Sequence, residues 1–203
     1  MTQALCRPPK PRASKDLRLR FNQSLKPSAR QRILSALIGL PPLTGSPISV
    51  RALRQLTAHR GKLLSAVPER GTPVHAASFI RRREIILEHE LLEKPALPLI
   101  VVHEIFHFVW ARLPNAARAS FTALLAEEFR SNARGELGES AAVKKQMACG
   151  TLTRDYVCES FCDSAAWLYA AEAKRGRTAL GRRWRDRRAA WFAATFSHSV
   201  RCC

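Results

Sequence analysis

His103 and His107 stand four residues apart, with Glu104 directly after the first, in the run His103-Glu104-Ile105-Phe106-His107. On a helix, side chains at i and i+4 leave one face a turn apart, which brings two imidazoles within reach of one metal ion. Catalytic zinc takes three protein ligands and keeps a fourth position open. A carboxylate next to the first histidine lies at the edge of such a site, where it can take a proton from a water whose pKa the metal has lowered to about 7. The expected chemistry is hydrolysis of an amide, with Glu104 as general base and then as proton donor to the leaving amine. Five such letters arise by chance in a chain of this size on the order of once in a few hundred sequences, so their setting decides.

The setting is a stretch from Leu97 to Trp110 that is apolar nearly all round apart from those three residues. Ionisable side chains on a buried helix are costly unless they have partners or a task. A third ligand must come from elsewhere, and Glu159 is the leading candidate, with Glu127, Glu128, Glu136 and Glu139 as rivals. Tyr156 lies one turn before Glu159 and is a candidate donor to a developing oxyanion. Cys158 and Cys162 flank Glu159 at a spacing unlike that of a zinc ribbon and read as buried, inert thiols.

His103, Glu104 and His107 followed by Glu159-Ser160-Phe161-Cys162-Asp163 resemble the gluzincin class of zinc metallopeptidases. The resemblance implies Zn2+ held by His103, His107 and Glu159, with Asp163 holding the far ring nitrogen of a histidine, His103 being the expected partner. It also implies a peptide or protein substrate lying along a strand just before the active-site helix. The resemblance spans about residues 79–169, and it departs from thermolysin-like members in the long interval between His107 and Glu159. The chain is loosely similar also to the ImmA/IrrE group of regulatory proteases, which cleave DNA-bound repressors.

The elements that must position these residues give an α+β fold, mostly helical, which the resemblance makes zincin-like, with a short strand or hairpin before the active-site helix. Ala77–Ile80 and Glu84–Leu87 read as that hairpin, with Arg81, Arg82 and Arg83 keeping a solvent-facing edge from aggregating. Pro98 suits the first turn of the active-site helix and Pro114 its end. Helices are expected over about 29–38, 50–66, from Asn115 as N-cap to before Gly135, over 141–147, over 153–174 and over 179–196. In the last, Trp184, Trp191 and Phe192 face inward and five arginines lie elsewhere. A basic flexible arm is expected over 1–28, then one domain over 29–203 with its catalytic core at about 77–175.

Charge is the chain's other anomaly. The net charge is +18, and residues 1–32 hold nine Lys or Arg against Asp16 alone, while residues 174–203 hold nine against Asp186 alone. Between Phe79 and Asp163 eleven basic residues face twelve acidic ones, so the excess sits at the ends. Basic flanks of this kind neutralise phosphates, and the competing reading is a nucleic-acid-associated protein with a structural or vestigial metal site. No apolar run reaches the length of a membrane span and no apolar stretch follows the N-terminal basic residues, so a cytoplasmic protein with reduced cysteines is expected. Cys202-Cys203 could oxidise as a pair or be a simple exposed end.

Overall fold

The alternation of buried Ile48 and Val50 with exposed Ser49 has the period of a strand, and this segment becomes the second of four strands in the main sheet. The structure, a computed structural model, describes residues 17–60, 62–66, 71–148, 151–170, 178–197 and 200–201. Its strands are β1 (Leu19–Phe21), β2 (Leu43–Thr44), β3 (Ile48–Leu53), β4 (Thr57–His59), β5 (Lys62–Leu64), β6 (Thr72–Pro73), β7 (Ala76–Phe79), β8 (Glu84–Glu88) and β9 (Val200–Arg201). Its α-helices are α1 (Pro27–Ser35), α2 (Leu97–Arg112), α3 (Asn115–Arg130), α4 (Glu139–Met147), α5 (Arg154–Tyr169) and α6 (Arg182–Thr195).

The main sheet has the order β1-β3-β8-β7, parallel throughout except at β7, which pairs antiparallel with β8 and forms an edge. The hairpin expected before the active-site helix is thus present, its turn closed by Arg83 at φ 55°. Arg81 and Arg82 are exposed as anticipated, whereas Arg83 is tied to the Pro47 carbonyl at 3.1 Å. In the β7–β8 register, the Glu88 amide bonds the His75 carbonyl, so the main-chain groups of Ala76 and Ser78 point away from β8.

Two expectations are corrected here. Residues 50–66 are not a helix but β3, β4 and β5, because β-branched Ile48 and Val50 alternate with polar residues and positive φ at Gln55 and Arg60 forces turns between the strands. Nor does the N-terminal arm run to residue 28: β1 pairs with β3, and Leu25 is buried in the core ahead of α1. Residues 1–16 lie outside the described residues, as do Cys202 and Cys203. The α+β class holds.

Helix α2 starts with a proline in its first turn and ends with Arg112 favourably placed against its C-terminal dipole. It packs between β7 and α5. Behind it Phe106, Phe121, Phe161, Phe192 and Phe196 form one aromatic cluster, with Phe161 and Phe192 stacked at 5.1 Å. This cluster fixes α2, α3, α5 and α6 relative to one another through contacts among rings that bury large apolar area. Helices α3 and α4 occupy the long interval between His107 and Glu159. Helix α5 stops at Tyr169, short of the expected 174, and residues 171–177 lie outside the described residues. Among the described residues no single helix is long and apolar enough to cross a membrane.

Candidate metal centre

Thr153 caps α5 by accepting the Tyr156 amide at 3.2 Å, which sets where the helix starts and so which residues face α2. Glu159 then meets the histidine pair. His103 Nε2 lies 3.1 Å from His107 Nε2 and 3.1 Å from Glu159 Oε2, and His107 Nε2 lies 3.8 Å from the same oxygen. Ligands at about 2.0–2.2 Å from a tetrahedral zinc stand about 3.3–3.6 Å apart. Two of the separations fall slightly short of that range and one slightly exceeds it, so small side-chain shifts would set the three donor atoms around one such ion.

Cys162 offers an alternative third donor, since its sulfur and ring nitrogens of His103 and His107 lie within 4.8 Å of one another. The two sets differ in access. Glu159 lines the cleft together with both histidines, whereas Cys162 is wholly buried and does not line it. A metal that must present an open position to substrate is better served by Glu159.

The far ring nitrogens are also held. His103 Nδ1 is 2.8 Å from Asp163 Oδ1, as the resemblance implied, and Asp163 Oδ2 accepts the Ala141 amide at 2.8 Å near the start of α4. Gly138 makes room for this: a Cβ there would stand 2.3 Å from the Asp163 carboxyl carbon. His107 Nδ1 lies 3.5 Å from the Cys158 sulfur. Burial alone would depress His103, but its hydrogen bonds to Asp163 and Glu159 prevail and raise it to about 10. His107 is raised too, against the same opposing burial, by Cys158 and Glu104. Glu159 is lowered despite its burial by the bond from His103 and by the charge of both imidazoles. The hydrogen bond from Cys162 and then His107 draw the Cys158 thiol down to about 6, with burial opposing, while burial and that same bond push Cys162 up.

Glu104 is buried at the edge of the site, and the Ser78 hydroxyl on β7 donates to its Oε2 at 2.6 Å. The same hydroxyl lies 2.9 Å from the Glu104 carbonyl, so Ser78 ties Glu104 to the edge strand. The cleft itself has a volume of about 790 Å³ and runs between β7, with Ala76, Ala77 and Ser78, and the start of α5. Trp110, Arg118 and Arg154 line it as well.

Tyr156 does not reach this cleft. It is fully buried and its hydroxyl donates to Glu136 Oε1 at 2.6 Å, because a phenol with no access to water must find an internal acceptor. Its expected role as an oxyanion donor is thus corrected: burial and the neighbouring carboxylate push its pKa upward and hold its proton away from the site. Of the rival glutamates, Glu139 is exposed at the start of α4 and the other three are held by arginines. Arg188 bonds Glu128 through Nε at 2.9 Å and Nη2 at 2.5 Å, and Glu136 through Nη2 at 3.0 Å, while Arg187 pairs with Glu127 at 2.5 Å. Arg188, expected outside, is wholly buried.

Four contributors escaped the sequence reading: Ser78, Gly138, Cys158 in its contact with His107, and Arg188. Ser78 had a signal, being the lone polar side chain in Ala76-Ala77-Ser78-Phe79 ahead of the helix. The others depend on packing between elements. Comparison of the chain with protein-family models, with curated proteins and with solved structures finds no match.

Proposed function

We propose that this protein is a zinc-dependent metallopeptidase of zincin type, with His103, His107 and Glu159 as metal ligands and Glu104 as general base. The observation that carries the reading is the triangle of 3.1, 3.1 and 3.8 Å between their donor atoms on the floor of an open cleft. The nitrogen and oxygen donor set suits zinc, which when bound would polarise a substrate carbonyl and acidify a water.

The chain's own residues supply the rest. Asp163 orients His103, and Ser78 holds one oxygen of Glu104 so that the other can accept a proton in the cleft and pass it to a leaving amine. An extended peptide matches the outward main-chain groups of Ala76 and Ser78, which favours a peptide or protein substrate added as a strand.

Nucleic-acid association through the basic flanks draws less support from α6. Of its arginines, Arg182 pairs with Asp186, Arg187 with Glu127 and Arg188 with two buried glutamates, while Arg183 stacks on Trp184. A regulatory protease of the ImmA/IrrE kind remains a narrower form of the leading proposal.

The test is metal content followed by turnover. Purified protein should carry zinc near one equivalent and cleave members of a mixed peptide library, and Glu104→Gln should keep the metal and lose cleavage. Protein that neither carries nor takes up zinc would sink the proposal.

A further inference from the structure

We infer that Cys158 is a positioning residue for the metal centre, its sulfur accepting the Nδ1–H of His107 and so fixing that ring with Nε2 toward the metal. The inference rests on the proposed metal site and assigns a task to a thiol that sequence alone made inert.

The geometry comes from one helix. With the Nε2 atoms of both histidines turned toward Glu159, each Nδ1 faces outward and, in a metal-bound imidazole, carries the proton. For His103 the acceptor is the Asp163 carboxylate at 2.8 Å. For His107 it is the Cys158 sulfur at 3.5 Å, a length suited to the larger atom. Cys158, Glu159 and Asp163 are all on α5, so a single element supplies the third ligand and the acceptors for both rings.

Cys162 completes the arrangement. It sits one turn beyond Cys158 and is wholly buried, whereas Cys158 lines the cleft with His107 as its hydrogen-bond partner. Three carboxylates, Glu104, Glu159 and Asp163, already face or support the site, so a soft acceptor here orients His107 without a fourth carboxylate in the same volume.

The test compares wild type, Cys158→Ala and Cys158→Ser by zinc affinity in chelator competition and by the imidazole 15N–1H signals of the zinc-loaded proteins. Cys158→Ala should bind zinc about 10- to 100-fold more weakly and shift the Nδ1–H signal of His107 while leaving that of His103 in place. Cys158→Ser keeps an acceptor and should recover most of the loss, which a purely packing role would not produce. Wild-type affinity with an unmoved His107 signal in Cys158→Ala overturns the inference, as does an equal shift of both histidines with no recovery by serine. Should the alanine variant fail to fold, a serine variant that folds yet has alanine-scale loss of affinity and no His107 Nδ1–H hydrogen bond also overturns it. If wild type itself takes up no zinc, the proposed function falls first, and that outcome is told apart by the wild-type measurement alone.

Discussion

At the scale of single residues, the site joins three roles that separate experiments can pull apart. Glu104→Gln removes the proton acceptor but no metal donor, so peptide cleavage should fall by about 10²–10⁴-fold with zinc content unchanged. Ser78→Ala frees the Glu104 carboxylate held at 2.6 Å, and kcat should drop with little change in zinc affinity. Protonation follows from His103, whose pKa stands at about 10 without metal against an ordinary 6.5. Because the folded-state value is raised, its contribution to metal-free stability is complete below about pH 6.5 and lost as pH rises through about 10. Denaturation of the metal-free protein across that window should show the decline. Zinc must displace the same proton, so its apparent affinity should grow with pH over the same range, with proton release on binding measurable by calorimetry in buffers of differing ionisation enthalpy.

At the scale of elements, α2 was legible in the sequence and its surroundings were not. The His-Glu-x-x-His spacing and the prolines at 98 and 114 set the active-site helix without any tertiary information, and β-branched content did the same for β8. Residues 50–66 misled because Leu53, Leu56 and Leu63 mimic a helical stripe, while Leu53 and Leu63 pair with other strands and Leu56 lies in the turn between β3 and β4. Tyr156 misled for a related reason: helical spacing placed it on the stripe of Glu159 and Asp163, but the loop carrying Glu136 covers it, and sequence spacing carries no record of that loop. The same loop holds Gly138 against Asp163. Gly138→Ala should therefore push Asp163 off His103 and weaken zinc binding by about 10- to 100-fold, read by chelator competition. Arg188 anchors α6 to α3 and to this loop from a wholly buried position. Arg188→Ala leaves Glu128 buried without its charged partner, while Glu136 keeps Lys145 and Tyr156, and should cost about 3–5 kcal/mol in chemical denaturation.

At the scale of the whole molecule, a nearly neutral middle that carries the candidate metal centre lies between basic ends. The excess at residues 1–32 and 174–203 is not explained by the site, and much of what α6 carries is bound up in ion pairs within the fold. If the flanks act only as a charged surface, a DNA or RNA mobility shift should be absent at low salt; a shift that appears there and weakens steeply as salt rises would show phosphate contacts instead. The proposed metal centre holds one zinc ion on His103, His107 and Glu159, with Cys158 and Cys162 outside its coordination. X-ray absorption at the zinc edge of the loaded protein tests it most directly. The expected spectrum has nitrogen and oxygen neighbours at about 2.0–2.2 Å and no sulfur, and it should lose a neighbour in Glu159→Ala; a sulfur neighbour at about 2.3 Å would contradict the claim and point to Cys162 instead.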